Sequence, residues 1–277
     1  MMPAPDRIEA IELMDLRDHS LEEMEGCLRE LEWVNRYLGG HRLVLAHLRR
    51  LLARAPGGQT VRILDVATGG ADVPRLIVAW ARRRGIRVHV TGVDISPPVV
   101  AVAHRWTRDI PEIAVLRADA FALPFADRAF DVCHLGLTLH HFSWEDSLRI
   151  LHVLHRLSRT GFIVNDLRRC WSAYAGSLAL ARTVFRNRLT RNDGPISIMR
   201  SYTLDEARAL AADAGIPGLR VHAHPLFRMA LVRGPAPVDG DGTRTEASGG
   251  GRHSPQRRPD AHDGRGDAAV TMEEWRS

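Results

Sequence analysis

The sequence contains no lysine. All 38 of its basic residues are arginine, against 33 acidic residues, and the net charge is +5. A basic surplus can indicate a nucleic-acid partner. Acidic residues and arginines are interspersed along this chain, however, and no appended RNA-binding module is visible. We therefore expect a small-molecule substrate and no nucleic acid.

Cysteine is also scarce, since Cys27, Cys133 and Cys170 are far apart and form no CxxC pair. Their spacing predicts neither a zinc site nor a disulfide framework. No apolar run reaches the ~18–20 residues that a membrane span needs. The first residues lack the apolar core of a signal peptide. We expect no metal, no membrane span and a cytoplasmic location, and the sequence allows a homodimer.

The remaining composition is that of a globular protein, with 45% hydrophobic and 26% charged residues in 277. Three regions can be distinguished. Residues 1–58 predict an N-terminal helical lid or extension, and residues 59–233 predict an α/β domain. Residues 234–277 are rich in Gly, Pro, Asp, Arg and Ser and predict a disordered tail.

The first region reads as two helices. Ser20 and Glu23 have the spacing of a capping box, and apolar residues then recur every three or four positions. Gly39–Gly40 predicts the end of this helix. A second helix is expected from about His41 to Ala53, ending at 56–58.

The second region alternates strand and helix signals, which predicts right-handed crossovers and a parallel sheet covered on both faces. A mostly helical insertion is expected over about 170–189, and the last two strands predict an antiparallel hairpin at the sheet edge. The expected strands are 61–66, 88–94, 113–116, 130–137, 161–166, 219–223 and 228–233. The expected helices are 73–84, 98–108, 143–157 and 204–214.

Three acidic positions follow the first three strands. The segment Asp65–Asp72 joins the first strand to a helix, and its small residues let the backbone approach a ligand closely. Asp94 ends the second strand, where a carboxylate can accept both hydroxyls of an adenosine ribose. Asp119 follows the third strand, within reach of an adenine amino group. Ligands of open α/β sheets lie at this carboxyl edge.

These segments resemble the class I S-adenosylmethionine-dependent methyltransferases, nearest the ubiquinone/menaquinone-type enzymes and related small-molecule methyltransferases. Ile63–Asp72 looks like motif I, and Asp119–Phe125 followed by Phe130–Val132 is similar to the "D-A-x-x-L-P-F … F-D-V" run. The resemblance covers about residues 60–233. It implies a Rossmann-like seven-stranded sheet with its last strand antiparallel, N-terminal helices and a helical insertion over the active site.

The resemblance also implies a set of cofactor contacts. Asp65 and the 67–70 backbone would hold the methionine end of S-adenosylmethionine, and Leu135–Gly136 would pass beside the sulfonium. Ala67 and Ala71 stand where the family pattern has glycine, and Ala71 adds a methyl group in a tight place. The whole implied set is Asp65, Ala67, Thr68, Gly69, Gly70, Asp94, Ile95, Asp119, Ala120, Leu135 and Gly136.

Two adjacent histidines, His140 and His141, follow the 130–137 strand at the same edge. Histidine titrates in the range of a general base, and we favour His141 over His140 for that role. Alternatively, one ring only shapes the pocket. No carboxylate cluster stands beside the pair in sequence, so we expect no metal there. Asp166 is a second candidate base, unless it caps a loop or pairs with Arg168 or Arg169.

The insertion carries Trp171 and Tyr174, which we predict to contact the substrate. Its apolar run indicates a hydrophobic acceptor, although core packing explains the same residues. Four arginines could bind an acidic group or simply be solvated: Arg186, Arg188, Arg191 and Arg200.

Together these features predict methyl transfer from S-adenosylmethionine to a small, largely apolar acceptor. A phenol, quinone or polyketide-like molecule fits, with O- or C-methylation. Two alternatives stay open: an RNA or protein methyltransferase, and a non-catalytic scaffold that binds the cofactor.

Overall fold

A computed structural model describes residues 4–16, 19–53 and 59–234 of the chain. Within them, a seven-stranded sheet is surrounded by eight α-helices. The helices are α1 (Leu21–Tyr37), α2 (Gly40–Leu52), α3 (Asp72–Arg82), α4 (Pro97–Thr107), α5 (Trp144–Leu157), α6 (Trp171–Thr183), α7 (Arg188–Arg200) and α8 (Leu204–Asp213). The strands are β1 (Val61–Val66), β2 (Val88–Asp94), β3 (Ile113–Arg117), β4 (Phe130–Gly136), β5 (Ser158–Leu167), β6 (Leu219–His224) and β7 (Arg228–Arg233).

The strand order is β3-β2-β1-β4-β5-β7-β6. Strands β1 to β5 pair in parallel, whereas β7 is antiparallel to both β5 and β6. The order reverses on either side of β1, so the carboxyl ends of β1, β2 and β4 meet at one edge. This arrangement confirms the predicted Rossmann-like class I methyltransferase fold, including the antiparallel edge hairpin.

Each face of the sheet is buried in its own apolar cluster, because the strands alternate side chains between the two faces. One cluster joins β4 and β5 to α5 and α8, with Leu135, Leu154 and Phe162 fully buried. The other joins β1 and β2 to α2 and α3, with Leu48 and Ile77 buried. Helix α2 of the N-terminal region therefore packs on the sheet itself.

Helix α1 begins as predicted, with the Ser20 hydroxyl accepting a hydrogen bond from the Glu23 amide. The Glu23 carboxylate does not complete a capping box, because it pairs with Arg188 of α7 at 3.0 Å. Gly39 follows α1 with φ +86°, a left-handed conformation that glycine adopts without strain.

The insertion differs most from its prediction. Helix α7 extends to Arg200, well beyond the expected end at 189, and contains Pro195. Strand β5 begins at Ser158 rather than at 161. The predicted helix end at 56–58 and the predicted tail beyond Gly234 lie outside the described residues.

Across the described part of the chain, no helix combines the length and apolarity required to span a bilayer.

Candidate active site

Asp65, at the end of β1, is buried, and each of its carboxylate oxygens has a protein partner. Its carboxylate accepts a hydrogen bond from the Thr68 hydroxyl at 2.6 Å and contacts His134 Nδ1 at 2.6 Å. His134 lies on neighbouring β4, directly beneath Gly136, where a Cβ would lie 2.7 Å from the imidazole Cε1. The Asp65 carboxylate therefore fixes the loop and strand β4, a role that sequence reasoning missed.

The loop after β1 owes its shape to left-handed residues. Ala67, Gly69 and Ala71 have φ of 52°, 54° and 55°. Such angles are uncommon for alanine, and they fold the backbone tightly before α3 begins. The Ala71 methyl group is fully buried with Val100, Ala103 and Val115. The methyl group therefore faces the protein core. It does not narrow the solvent-facing side of the loop, contrary to what the sequence suggested.

The outer side of this loop is covered by two side chains from other helices. A Cβ at Gly70 would lie 2.5 Å from Trp106 Cζ3 and 3.5 Å from Leu28 Cβ. Trp106 belongs to α4 and Leu28 to α1, so the N-terminal helix reaches the loop. Only glycine allows this approach at position 70.

Asp94 ends β2 beside the same loop. Its two carboxylate oxygens accept hydrogen bonds from the Gly69 amide at 3.1 Å and the Ser96 amide at 3.0 Å. Burial raises the pKa of Asp94, against the opposing effect of these amides. An ionised carboxylate has about four acceptor positions, so Asp94 can still accept from a hydroxyl donor.

The neighbouring edge offers apolar surface. Ile95 is 47% exposed beside Asp94, and Asp119 is half-buried with its carboxylate accepting from the Phe121 amide at 2.8 Å. Leu135 is fully buried, and Gly136 ends β4. A left-handed backbone, a half-buried acid with free acceptor positions and an exposed apolar side chain together fit a ribonucleoside such as the adenosyl group of S-adenosylmethionine.

His140 lies after β4 in a short 3₁₀ turn (Leu139–His141) and is buried. The Asp166 carboxylate, at the end of β5, contacts His140 Nδ1 at 2.8 Å and accepts a hydrogen bond from the His140 backbone amide at 2.9 Å. Burial opposes the cationic form, but Asp166 and Glu12 outweigh it and raise the pKa of His140 to about 10. A histidine held as an imidazolium at neutral pH is a poor base, which removes His140 from that role.

Asp166 pairs with the His140 ring and also caps the Leu139–His141 turn through the His140 amide. Among the described residues it forms no ion pair with Arg168 or Arg169. It is fully buried, and its other hydrogen bond comes from the Leu167 amide at 2.7 Å. Burial opposes its charge, yet His140 lowers the pKa of Asp166 below its ordinary value. A carboxylate committed in this way is also a poor base.

Glu12 approaches both histidines from the segment before α1. Its two oxygens lie 3.6 Å from His140 Nε2 and 3.7 Å from His141 Nε2. Burial opposes its charge, but His140, His141 and Arg200 together lower the pKa of Glu12 to about 2. Sequence reasoning missed Glu12, because a single acid in an irregular segment carries no pattern.

His141 is the accessible member of this group, with 20% of its side chain exposed. Its Nδ1 lies 3.2 Å from Asp15, and its Nε2 faces Glu12. Arg200 of α7 lies 3.6 Å from Glu12 and donates to the His141 carbonyl at 3.2 Å. Of the two histidines, His141 is therefore the one whose side chain a ligand can contact.

The ground for expecting no metal was wrong, since carboxylates do stand beside the histidines. Glu12, His140 and His141 offer ligand atoms within 4.8 Å of one another. However, the Arg200 guanidinium lies beside Glu12, and His140 carries its own positive charge. These two cations lie among the three carboxylates Glu12, Asp15 and Asp166 and repel a metal ion, which favours an ion-pair network over a metal site.

Trp171 and Tyr174 lie in the first turn of α6 with ring centroids 6.4 Å apart. Trp171 is 46% exposed, so core packing does not account for it. Its contact with a substrate stays a prediction.

Comparison with known proteins places this geometry in context. Residues 63–161 match the family model of a methyltransferase domain. The chain is 36% identical over 102 residues to a demethylmenaquinone methyltransferase of Thermus thermophilus, covering 36% of this chain and 43% of that protein. It is 30% identical over 135 residues to a demethylmenaquinone methyltransferase of Lysinibacillus sphaericus, covering 49% of this chain and 54% of that protein. The chain thus spans about half the length of these curated relatives.

Solved structures show the same fold at low identity. A SAM dependent methyltransferase from Aquifex aeolicus superimposes with a TM-score of 0.51 and 18% identity, covering 75% of this chain and 96% of that one. Human N-acetylserotonin methyltransferase, solved in complex with SAM, gives a TM-score of 0.56 and 14% identity, covering 78% and 56%.

Proposed function

We propose that the chain, whose residues 63–161 match the model of a methyltransferase domain, transfers a methyl group from S-adenosylmethionine to a small, largely apolar acceptor, a phenol, quinone or polyketide-like molecule. S-adenosylmethionine supplies an activated methyl group on a sulfonium that is its own leaving group. Residues 1–58 are then an extension that completes the site, and residues 59–233 are the catalytic domain.

One observation carries this proposal: an accessible histidine flanked by two acids follows the strand that borders the loop after β1. His141 lies beyond β4, and β4 pairs directly with β1. In class I folds, ligands bind at this edge. Asp65, the 67–70 backbone, Asp94 and Ile95 would hold the cofactor, together with Asp119, Ala120, Leu135 and Gly136.

The surroundings of His141 support a general base. Asp15 at Nδ1 would orient the ring, and Nε2, on the Glu12 side of the ring, would be the nitrogen that meets the acceptor hydroxyl. Nε2 would take the proton of the hydroxyl as its oxygen receives the methyl group that S-adenosylmethionine would supply, and S-adenosylhomocysteine would be the leaving group. Glu12, 3.7 Å away, stabilises the resulting imidazolium.

The acceptor class rests on the apolar surroundings and on the relatives. The curated relatives are named as methylating demethylmenaquinone, a quinone-type compound. Trp171 and Tyr174 offer aromatic surface on α6, in the insertion after β5. An aromatic acceptor can stack on such rings with a gain of about 0.5–1.5 kcal/mol beyond burial.

Turnover of phenols and quinones with S-adenosylmethionine tests the proposal, with product NMR distinguishing O- from C-methylation. For a hydroxyl acceptor, His141→Gln should lower kcat by about 10²–10⁴-fold. His104→Gln, an exposed histidine of α4, is the matched control and should leave kcat unchanged. Full turnover in His141→Gln would remove the base role, and no turnover of any acceptor by the wild type would contradict the proposed activity.

A further inference from the structure

An open surface groove of about 400 Å³ lies between helices α6 and α7 and has no part in the proposed methyl transfer. Four of the seven side chains that line it are arginines, and none is acidic. We call it the arginine groove. Its lining residues are Leu178, Ala181, Arg182, Arg186, Arg188, Arg191 and Asn192.

The positive charge of the groove is only partly balanced by the protein. Arg188 pairs with Glu23 at 3.0 Å, and Arg191 Nε donates to the Ala181 carbonyl at 3.0 Å. Among the described residues, neither Arg182 nor Arg186 forms an ion pair through its side chain.

The nearby acid Glu30 forms no ion pair with these guanidinium groups among the described residues. Its carboxylate accepts hydrogen bonds from the backbone amides of Arg186 and Asn187, at 2.7 and 3.1 Å. Glu30 therefore holds the α6–α7 connection in place, and the Arg186 side chain remains free to meet a ligand.

The groove lies away from the histidine cluster. Arg191 and Arg200 both belong to α7, but nine residues, about two and a half turns, separate them. They therefore point to opposite sides of the helix, Arg200 toward Glu12 and Arg191 toward the groove. A ligand of the groove would be held apart from the reacting atoms.

We propose that the arginine groove binds a phosphate ester group. Guanidinium groups match phosphate oxygens in a two-pronged geometry, and several of them around one cavity repel each other until an anion binds. A dianionic phosphate has more free oxygens than a carboxylate, so it can accept hydrogen bonds from more of the four arginines.

Two sources supply this chemistry, a phospholipid headgroup and a soluble phosphate ester. Trp171 and Val184 are 46% and 42% exposed at the two ends of α6, and such apolar side chains beside arginines are compatible with a lipid surface. Leu178 and Ala181 give the groove an apolar wall that suits the organic part of either ligand.

Calorimetric titration with inorganic diphosphate tests the site. Arg182→Gln/Arg186→Gln should weaken binding roughly tenfold or more, since hydrogen bonds to charged groups are lost. The control Arg83→Gln/Arg108→Gln removes the same charge from exposed positions elsewhere and should bind like the wild type. No binding to the wild type, or equal weakening in both double variants, would overturn the proposal.

Vesicle flotation distinguishes the two sources. If wild type floats with phosphatidylcholine–phosphatidylglycerol vesicles but not with phosphatidylcholine alone, and the groove variant floats with neither, the ligand is a lipid headgroup. If diphosphate binds and neither vesicle does, the ligand is a soluble phosphate ester. Both readouts measure binding, so their failure would leave the proposed methyl transfer untouched.

Discussion

The Glu12 carboxylate bridges two imidazoles, with one oxygen 3.6 Å from His140 Nε2 and the other 3.7 Å from His141 Nε2. One of these rings is buried and paired with Asp166, and the other is accessible and paired with Asp15. Glu12 therefore links the core of the sheet to the candidate base. The irregular N-terminal segment is thereby part of the site.

Replacing Glu12 tests this link. Glu12→Gln removes the charge between two histidines and Arg200, and breaking a buried ion pair on one side costs about 3–5 kcal/mol. We expect a lower Tm together with a lower kcat for a hydroxyl acceptor. Glu9→Gln, an exposed acid of the same segment, is the control. A Glu12→Gln protein with wild-type Tm and kcat would show that the bridge has no role.

The charge of His140 predicts a pH dependence of stability. Its pKa in the folded protein is about 10, above the ordinary 6.5, so its contribution is complete below pH 6.5 and declines as pH rises toward 10. Glu12, with a pKa of about 2 against 4.5, contributes fully above pH 4.5. The Tm difference between wild type and His140→Gln should therefore be largest between pH 4.5 and 6.5 and shrink toward pH 10. A Tm difference that stays constant up to pH 10 would contradict the positive charge assigned to His140 in the folded protein.

Two neighbouring substitutions in the loop after β1 should behave differently. Gly70→Ala places a Cβ 2.5 Å from Trp106 Cζ3, and overpacking of this kind costs about 1–3 kcal/mol. Ala71→Gly relieves a left-handed alanine but removes a buried methyl group, so we expect a change within about 1 kcal/mol. Chemical denaturation of both variants measures these changes.

Cofactor affinity of the Ala71→Gly variant tests whether the Ala71 side of the loop faces the cofactor. The Ala71 methyl group faces Val100 and Val115, so Ala71→Gly should bind S-adenosylmethionine like the wild type. Tighter binding by that variant would show that the alanine does crowd the cofactor.

The sheet could be predicted closely because its signals are local. The bounds of β1 and β2 match the expected runs, since an apolar strand beside a turn carries its own pattern. Helix α7 was missed because Pro195 interrupts it and its sequence lacks an apolar period. The start of β5 could not be predicted because Ser158 and Arg159 are polar and lack a strand pattern. Pairing with β4 stabilises this end of the strand in the folded protein.

The site divides in the same way. Asp94 and the loop after β1 lie at strand ends, where the order of βα units already indicates a ligand. The contacts of Glu12, Asp15 and Arg200 with the histidines join distant parts of the chain, and no periodicity encodes them. His134 offered one signal, a polar side chain inside an apolar strand, that pointed to a buried partner.

The central claim is that the edge formed by β1, β2 and β4 binds S-adenosylmethionine, and calorimetric titration tests it most directly. Wild type and the control Asp127→Asn, an exposed acid, should bind S-adenosylmethionine and S-adenosylhomocysteine alike. Asp94→Asn should bind both more weakly by about 1.5–3 kcal/mol, because a charged acceptor of hydroxyl hydrogen bonds is lost. No binding of either compound by the wild type, or unchanged binding by Asp94→Asn, would contradict the account.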